Sequence, residues 1–373
     1  MLFVTALAPY RIYPAKMGGQ KGIAFFYRFF SKHCNVTLVS TNNNQPPDDF
    51  SGNFLSILPN SKLRYFNPLI FFTIKKIIKK TKSTHLIIEH PYYGWLGYLL
   101  KKSLKVKLVV HSHNIESMRF KTMGKWWWKI MYTYEKWTHQ IADISFFISD
   151  EDKTFAVNNF KLVPKKCTTI TYGFDVKNAP TTEEKEESKK HICKAHQIPF
   201  IHKILFFNGT LDYAPNLNAL MCILNDINPV LLNSEIDYTI IICGKNLPDQ
   251  LHELKQYKDQ NIIYAGFVDD ITVYFKGADI FINPVIDGGG IKTKLVEALG
   301  YDTFCISSKS GAIGVPSDIT QGKLIVIENN DCVSFANAII HGKEQNKISD
   351  RYFDYFYWNN IAEKASKSLS ELI

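Results

Sequence analysis

Three consecutive glycines, Gly288 to Gly290, separate a β-rich apolar run from a helical pattern. Glycines let a ligand approach the backbone closely, and the N–H groups at the start of a helix attract an anion such as phosphate. Lys292 and Lys294 add positive charge beside this turn, and Glu297 lies one to two turns into the helix. A carboxylate at that position can accept hydrogen bonds from sugar hydroxyls. The combination predicts a site for a nucleotide-linked ligand.

These features alone leave a second interpretation open, an ordinary βα turn with lysines on a solvated helix face. A resemblance favours the ligand site. The segment 283–300, NPVIDGGGIKTKLVEALG, resembles the donor-binding segment of the retaining family 4 (group 1) glycosyltransferases. Further segments match this family in the same order, so the resemblance covers most of the chain. It implies the GT-B fold, in which two Rossmann-like α/β domains face each other across a cleft.

The resemblance also implies which residues hold the donor. They come from a glycine pair near the N-terminus, from a glycine after the first strand of the second domain, and from the glycine-rich segment. The set consists of Gly18, Gly19, Gly209, Asp287, Gly288, Gly289, Gly290, Lys292, Lys294 and Glu297. Lys294 and Glu297 are also expected to act in catalysis. For Gly18 and Gly19, a plain structural turn remains an alternative.

The sequence departs from the family's pattern at two places. The element NGTLDYAPN, at 208–216, lacks the Arg and Lys that bind the donor pyrophosphate in many relatives. We therefore expect Lys292 and Lys294 to supply that charge. Gly289 stands where the first of two paired glutamates would be, and Glu297 matches the second. The resemblance thus defines contacts to the nucleotide better than contacts to the donor sugar.

Histidines stand at the ends of two predicted strands. His90 follows IIE, and His111 follows KLVV with His113 two residues later. Ligands of doubly wound sheets bind at the carboxyl ends of the strands, although a satisfied structural histidine is the alternative at each position. The sequence HNIE, at 113–116, resembles the family's segment after this strand, whose histidine lies against the sugar. The resemblance implies that His113 orients the sugar, with His111 as the second choice.

Length and pattern predict two domains. A chain of 373 residues with 46% hydrophobic content exceeds one ordinary core. Apolar β-rich runs alternate with helical patterns, which predicts doubly wound parallel sheets. We expect an acceptor-side domain at 1–178, a polar linker at 179–198 and a donor domain at 199–350. By resemblance, residues 351–373 form a helix that returns to the first domain, with Trp358 as an anchor.

Asp150-Glu151-Asp152 has the acidic spacing that metal-dependent glycosyltransferases of another fold use. The alternative is a helix cap, because Ser149 precedes a helical run and acids are favourable in a first turn. We favour the cap and expect neither a metal ion nor another cofactor. The nucleotide-sugar donor, linked to UDP or GDP, is then a substrate.

The net charge of +9 is unevenly spread. Residues 1–180 carry 26 Lys/Arg against 10 Asp/Glu, a net +16, whereas the remainder carry 18 against 25, a net −7. Such an excess is typical of contact with anionic lipid, nucleic acid or an acidic substrate, and solvated lysines in a lysine-rich organism are the alternative. The candidate contacts are Lys75–Lys82, Lys101–Lys107 and the tryptophans 126–128 between Lys125 and Lys129. Adjacent residues of a helix point about 100° apart, so at least one of these tryptophans should be exposed.

Several features bear on location. No apolar run reaches the ~18 residues that span a bilayer, and the segment Met1–Pro9 lacks the basic start of a signal peptide. The seven cysteines are scattered without a CxxC pair, which indicates reduced thiols in a cytosol. We therefore expect a cytoplasmic protein, peripheral at the inner face of a membrane.

The resemblance predicts retaining, metal-independent transfer of a sugar from a nucleotide-sugar donor to a glycan or lipid-linked glycan, in cell-surface polysaccharide synthesis. Two alternatives stay open. One is a sugar-nucleotide epimerase or phosphorylase on the same fold, and the other is a non-catalytic sugar-nucleotide-binding protein. No nucleic-acid module is recognisable, so we expect no nucleic-acid partner despite the basic first half.

Overall fold

Apolar strands alternate with amphipathic helices in the computed structural model, which describes residues 2–15, 18–343 and 346–372. Met1 and Ile373, which the predicted terminal segments included, lie outside these ranges. The chain divides into two units. Unit 1 comprises Met1–Asp175 and Tyr355–Ile373, and unit 2 comprises Val176–Asp354.

Unit 1 is built on a seven-stranded parallel sheet. Its elements as far as residue 175 are β1 (Phe3–Leu7), α1 (Gly18–Phe30), β2 (Asn35–Thr41), β3 (Asn53–Leu58), α2 (Leu69–Thr81), β4 (His85–Glu89), α3 (Gly94–Leu104), β5 (Lys107–Ser112), α4 (Glu116–Thr122), α5 (Trp128–Ile141), β6 (Ile144–Phe147), α6 (Asp150–Phe160) and β7 (Cys167–Thr169). The strand order is β3-β2-β1-β4-β5-β6-β7, with β1 near the middle. This order is typical of a doubly wound sheet.

Helix α2 illustrates why the helices of unit 1 lie on the sheet. Ile70, Ile74 and Ile78 recur every four residues, are buried, and belong to the same core cluster as the sheet residues Leu86 and Ile88. The opposite face of the helix carries exposed lysines. Burial of the apolar stripe therefore fixes which face of α2 meets the sheet and which meets water.

Strands β4 and β5 end side by side in unit 1. Their parallel register pairs Glu89, the last residue of β4, with His111 in β5. His113 follows directly after β5 ends at Ser112. Because both strands run in the same direction, these side chains share one edge of the sheet, where ligands of doubly wound folds bind.

Unit 2 is built on a six-stranded parallel sheet in the order β10-β9-β8-β11-β12-β13. Central strands such as β9 are buried along their whole length, as expected when helices cover both faces. Its elements are α7 (Thr182–His196), β8 (Lys203–Asn208), α8 (Ala214–Cys222), α9 (Asn228–Leu232), β9 (Tyr238–Cys243), β10 (Ile262–Gly266), α10 (Ile271–Gly277), β11 (Ile280–Asn283), α11 (Thr293–Gly300), β12 (Phe304–Ser308), β13 (Leu324–Ile327) and α12 (Cys332–His341).

The predicted linker 179–198 forms a helix of unit 2. Thr181 and Glu184 form a capping box that starts α7, and the helix packs against α10. Ile192 is fully buried, and the Lys189 ammonium lies 2.8 Å from the Asp279 carboxylate. The segment is polar because most of the helix faces water, while one narrow apolar stripe holds it on the domain.

The C-terminal segment comprises α13 (Asp350–Phe356) and α14 (Trp358–Ser370), and α14 belongs to unit 1. This confirms the predicted return of the C-terminal helix to the first domain. Trp358 is buried, packs on Tyr172 and stacks parallel to Phe25 of α1. Within the ranges that the structure describes, no helix combines the length and apolar character that crossing a membrane requires.

Candidate functional site

The glycine segment of unit 2 forms a tight loop between β11 and α11. Gly288 and Gly290 have φ angles of +83° and +68°, a region that residues with a Cβ rarely adopt. The Lys292 ammonium lies 3.0 Å from the carbonyl oxygen of Gly288 and 3.2 Å from that of Gly290. This lysine therefore closes the loop and neutralises its carbonyl dipoles at the start of α11.

Lys294 lies in the first turn of α11 and points back to β8. Its Nζ donates to the carbonyl oxygen of Asn208 at 2.9 Å and to Oδ1 of Asn216 at 3.1 Å. The ammonium also lies 4.3 Å from the ring centre of Phe207. Burial, and next the charge of Lys292, lower the pKa of Lys294 to about 7. A bound anion would therefore favour the protonated form of the Lys294 amine.

Two further features surround Lys294. Gly209 follows β8, and a Cβ at this position would lie 2.7 Å from Nδ2 of Asn216. A side chain at position 209 would therefore clash with Asn216. Oδ1 of Asn208 is buried and has no hydrogen-bond partner among the described residues. Unpaired buried polar atoms are rare in proteins, and a ligand would relieve this one.

The remaining predicted donor residues lie on the same edge of unit 2. Asp287 precedes the loop, and its Oδ2 accepts a hydrogen bond of 3.0 Å from Nδ2 of Asn218 in α8. Gly289 is exposed, and Glu297 is half-buried one turn after Lys294 in α11. The structure therefore places Gly209 after β8 and the segment from Asp287 to Glu297 after β11.

A second cluster lies at the carboxyl edge of the unit 1 sheet. Oε2 of Glu89 lies 2.6 Å from Nε2 of His113, and Oε1 lies 3.2 Å from Nδ1 of His111. The hydroxyl of Tyr27 in α1 donates to the same Oε1. Both imidazoles and the carboxylate are buried. One carboxylate thus accepts hydrogen bonds from three groups.

These contacts set the protonation of the cluster. Burial alone would raise the pKa of Glu89, but the charge and hydrogen bond of His111 and the hydrogen bond of His113 hold it well below its usual range. Burial, and next His111, lower the pKa of His113 to about 4. At neutral pH His113 is therefore uncharged and donates its Nε2 proton to Glu89. Its Nδ1 is then a hydrogen-bond acceptor.

The surroundings of His113 restrict what can touch that acceptor. A Cβ at Gly22 of α1 would lie 3.8 Å from Nδ1 and 3.6 Å from the Tyr172 ring. A larger side chain at position 22 would cover the ring nitrogen. The glycine therefore keeps Nδ1 accessible from the side of α1, where a hydroxyl or N–H donor could approach.

The residue at the end of β4, His90, has a strained backbone with a φ of +63°. Its Nε2 lies 2.9 Å from the hydroxyl of Tyr10, and its Nδ1 lies 3.2 Å from Oε1 of Glu116, in poor alignment for a hydrogen bond. Glu116 also accepts from Arg119 and Tyr92. Sequence reasoning missed Glu89 and Glu116, although both could be found from the strand ends and the HNIE segment.

A structural turn was the alternative for the paired glycines near the N-terminus, but in the structure these glycines begin a helix. Gly18 and Gly19 are the first two residues of α1. The first N–H groups of a helix have no partner within it, so a helix start presents the same donors to an anion as a glycine loop would. Glycine places no side chain there, and a Cβ at Gly19 would lie 3.7 Å from the Tyr10 hydroxyl.

Two groups of residues are candidate metal ligands, the acidic segment 150–152 and the cluster of Glu89 with two histidines. Ser149 accepts the N–H of Asp152 and caps α6, so Asp150 to Asp152 form the first turn of that helix as predicted. Among the described residues, Glu89, His111 and His113 could hold a metal ion, since their ligand atoms lie within 4.8 Å of one another. The short contacts between these groups also make a complete hydrogen-bond network without an ion.

Comparisons with protein families resolve the identity of this two-unit chain. A model described as Glycosyltransferase Family 4 matches residues 18–178, and one described as Glycosyl transferases group 1 matches residues 202–342. The chain belongs to the family 4, group 1 glycosyltransferases. The first match covers the histidine cluster of unit 1, and the second covers the glycine loop and Lys294 of unit 2.

Individual relatives of this glycosyltransferase are distant. It is 25% identical to an uncharacterized 44.6 kDa protein in the cps region of Klebsiella pneumoniae over an alignment of 221 residues that covers 54% of this chain. The match spans 56% of that protein, little more than half its length. The O-antigen biosynthesis glycosyltransferase WbnH of Escherichia coli is 23% identical over 346 residues, covering 91% of this chain and 88% of the relative.

A solved structure agrees with the fold. Anabaena HepE in complex with UDP has a TM-score of 0.72 and 13% identity, and the match covers 99% of this chain and 100% of that one. HepE with UDP-glucose gives a TM-score of 0.61 at 14% identity, with 99% and 95% covered. At such low identity the likeness shows the fold alone, and the predicted GT-B fold is confirmed.

Proposed function

We propose that this glycosyltransferase moves a sugar from a UDP- or GDP-linked donor to a hydroxyl of a glycan or lipid-linked glycan, with retention of configuration and without a metal ion. The observation that carries the proposal is Lys294, a buried ammonium beside a glycine loop in the half of the chain that matches the group 1 glycosyltransferases. WbnH is named for O-antigen biosynthesis and HepE was solved with UDP-glucose. The first supports a role in cell-surface polysaccharide synthesis, and the second supports a nucleotide-sugar donor.

Donor binding follows from the chemistry of the loop. We propose that the diphosphate lies at Gly288–Gly290, where N–H groups and the start of α11 favour negative charge. Lys294 then becomes fully charged and stabilises the leaving phosphate. Glu297 accepts hydrogen bonds from ribose hydroxyls, and Asn208 offers its unpaired Oδ1 to the same ligand.

Transfer breaks the bond between the anomeric carbon and the phosphate oxygen and forms a bond between that carbon and the acceptor oxygen. The acceptor proton leaves with the released nucleoside diphosphate. Positive charge builds on the sugar while negative charge builds on the phosphate, so Lys292 and Lys294 act most strongly in the transition state. Positioned lysines of this kind can replace the charge that a metal ion supplies elsewhere.

His113 is proposed to orient the reacting sugar. Because Nε2 of His113 donates its proton in a hydrogen bond to Glu89, the other ring nitrogen, Nδ1, is an acceptor, which suits a sugar hydroxyl and not a phosphate oxygen. His111 has a different position in the network, since it faces Glu89 through Nδ1 at the longer distance of 3.2 Å. The geometry therefore supports the choice of His113 over His111.

We also propose that unit 1 touches an anionic membrane at the inner face, where a lipid-linked acceptor would lie. An apolar-basic surface supports this, formed by the 3-10 helix Lys62–Phe66 and the outer face of α2. Leu63, Phe66, Leu69 and Phe72 are each at least 66% exposed, and Lys76, Lys79 and Lys80 follow on the same helix face. Trp126 is 83% exposed, as expected for one of the three tryptophans.

One predicted membrane contact is better explained within the fold. The ammonium of Lys101 lies 2.8 Å from the Asp143 carboxylate and 2.9 Å from the carbonyl oxygen of Ile141. These contacts hold the end of α3 against the end of α5. We therefore leave Lys101 out of the proposed membrane contact and keep the apolar-basic surface and Trp126.

The first experiment tests donor binding. UDP, GDP and their sugars are screened by thermal shift and the best ligand is measured by calorimetry, because binding to the folded state raises its apparent stability. Glu297→Ala should weaken binding by about 1–3 kcal/mol, since its partners lose an acceptor. Glu328→Ala is the matched control, an exposed carboxylate of unit 2 that pairs with Lys309. Equal affinity in wild type and Glu297→Ala would remove Glu297 from the site.

The second experiment tests the reaction. Product formed with and without an acceptor separates transfer from epimerisation, and NMR of the product's anomeric centre tests retention. Activity should persist in EDTA after removal of trace metals. A requirement for manganese or magnesium, or for zinc at Glu89, His111 and His113, would contradict the metal-independent mechanism. Absence of both turnover and donor hydrolysis would favour the non-catalytic alternative.

A further inference from the structure

Two cysteine thiols face each other in unit 2. Sγ of Cys222 and Sγ of Cys332 lie 3.0 Å apart, although the residues are 110 positions apart in the chain. Cys222 ends α8, and Cys332 begins α12. Both are half-buried, whereas the other five cysteines are buried. This pair therefore differs from the other five cysteines because its sulfurs contact each other and its side chains are more exposed to solvent.

A cavity of about 330 Å³ opens beside the pair and gives small molecules a route to it. Cys222 and Cys332 line the cavity together with Asp226 and Met221. The lining also includes Pro284 and Ile286, which belong to the segment between β11 and the glycine loop. The two sulfur atoms are thus within reach of a reagent the size of a small disulfide or a peroxide.

The two sulfurs have different environments. Cys332 is the first residue of a ten-residue helix, whereas Cys222 is the last residue of α8. Burial, and next the neighbouring Cys332 sulfur, raise the pKa of the Cys222 thiol. A raised pKa makes Cys222 a poor first nucleophile, so we assign the attack on an oxidant to Cys332 and the resolving step to Cys222.

We propose that Cys222 and Cys332 form a reversible disulfide and are a redox modification site beside the donor loop. Cys332 loses its proton and attacks one sulfur of a small-molecule disulfide, such as oxidised glutathione, which releases one reduced thiol. Cys222 then loses its proton and attacks the mixed disulfide at Cys332, which releases the second reduced thiol. The protein loses two hydrogen atoms, and both sulfurs of the oxidant are reduced.

A zinc site is the competing interpretation, because Asp226 lies within 4.8 Å of both sulfurs. Two thiolates that share a tetrahedral zinc ion, each at about 2.3 Å, lie about 3.8 Å apart. The observed separation of 3.0 Å is much shorter and brings sulfur against sulfur. The geometry therefore favours a thiol pair, and the zinc interpretation becomes an outcome of the test.

The bond would tether α8 to α12 at the cavity. Helix α8 also carries Asn218, which holds the Asp287 carboxylate at 3.0 Å. Oxidation should thus restrain the segment 284–290 from one side. Since the bond would close a loop of 110 positions, it should also stabilise unit 2 against unfolding.

The test uses the full chain, first reduced and then equilibrated with oxidised glutathione. Peptide mapping without reductant should recover a Cys222–Cys332 link, and the native protein should lose two reactive thiols. The thermal midpoint of unit 2 should rise by about 5–10 °C. Amide hydrogen exchange at 284–290 should slow severalfold, and reductant should reverse each change. None of these readouts depends on glycosyltransferase activity.

Matched variants make the result specific. Cys222→Ser and Cys332→Ser should each abolish the link and the rise in midpoint, whereas Cys193→Ser, at a buried thiol of the same unit, should leave both unchanged. The proposal is overturned if no link forms, if the link joins other cysteines, or if the midpoint rises equally in the serine variants. One zinc ion per chain that blocks both thiols in the purified protein would also overturn it.

Discussion

Nε2 of His113 lies 2.6 Å from Oε2 of Glu89, so a buried carboxylate decides which nitrogen of the imidazole carries the proton. The two residues stand at the ends of neighbouring strands, and the β4–β5 register that pairs Glu89 with His111 places them together. Because Glu89 stays ionised and the pKa of His113 is lowered to about 4, the tautomer is fixed across the physiological pH range. The proposed contact to a sugar hydroxyl depends on this arrangement.

His113→Ala should therefore lower kcat by roughly 10- to 100-fold while changing the donor KM by less than about threefold, because a contact to the reacting sugar counts most in the transition state. Steady-state kinetics measures both constants. His111→Ala is the comparison, since His111 touches the same carboxylate. If His111→Ala is the damaging change and His113→Ala is mild, the orienting residue is His111.

Glu89→Gln should impair the enzyme through His113. A glutamine amide no longer fixes the Nε2 proton, so the ring can move its proton to Nδ1 and lose the acceptor. Nitrogen NMR of labelled histidine should report the changed tautomer, and kcat should fall more than the donor affinity. Glu135→Gln is the control, because this buried carboxylate accepts backbone N–H groups of α4 instead. Glu89→Gln with unchanged NMR shifts and full kcat would show that the carboxylate has no positioning role.

Nucleotide affinity should depend on pH through Lys294. Its lowered pKa of about 7 means that the free site is mostly neutral above pH 8, whereas a bound diphosphate favours the ammonium and raises the pKa. Binding then takes up a proton, so affinity should fall about tenfold per pH unit between roughly pH 7.5 and 9. Calorimetry in two buffers of different ionisation enthalpy measures this uptake. Lys294→Arg should abolish the pH dependence, and a flat profile in the wild type would contradict the assignment.

Gly288→Ala should disturb the donor loop. The φ of +83° is unfavourable for alanine by about 1–2 kcal/mol, and the new Cβ would lie 3.4 Å from the Tyr213 hydroxyl and from Pro215. We expect UDP affinity to fall severalfold in calorimetry. Gly289→Ala is the matched control, since Gly289 is exposed and lacks a positive φ. Equal losses in both variants would mean that loop conformation is not the cause.

The apolar-basic surface should bind anionic vesicles at low salt. Co-sedimentation should weaken when ionic strength rises to about 0.5 M, because the screening length then falls well below 10 Å. A triple variant, Lys76→Glu with Lys79→Glu and Lys80→Glu, should lose most binding, as should Leu69→Ser with Phe72→Ser. Val333→Ser, at an exposed apolar residue of unit 2, is the control. Unchanged co-sedimentation of the triple variant would remove this surface from any membrane contact.

Much of the fold could be predicted from the sequence because buried parallel strands have short, continuous apolar sequences. The segment KLVVH and the segment before Pro284 form strands as expected. Helix α7 was missed because only a narrow stripe around Ile192 is apolar, so its polar composition resembled a linker. The start of α1 at Gly18 was missed because two glycines favour a loop when sequence is considered alone.

The candidate site also has a part that could be predicted from the sequence and a part that could not. The spacing of Gly288, Lys294 and Glu297 placed them on one loop and helix, since these contacts are local in the chain. The role of Glu89 depends on the strand register and could not be derived from spacing alone. Nor could the sequence show that Lys294 bonds to Asn208, which lies 86 residues away and lowers the cost of burying the ammonium.

The location of α14 in unit 1 also determines the order in which the chain can complete its folding. Residues 1–175 leave the ribosome first, but their unit lacks the helix that covers Phe25 and Tyr172 until Trp358 has been synthesised. All of unit 2 emerges before that point. The first unit to be translated is therefore the last to be completed, and Phe25 and Tyr172 lack their contact with Trp358 until then.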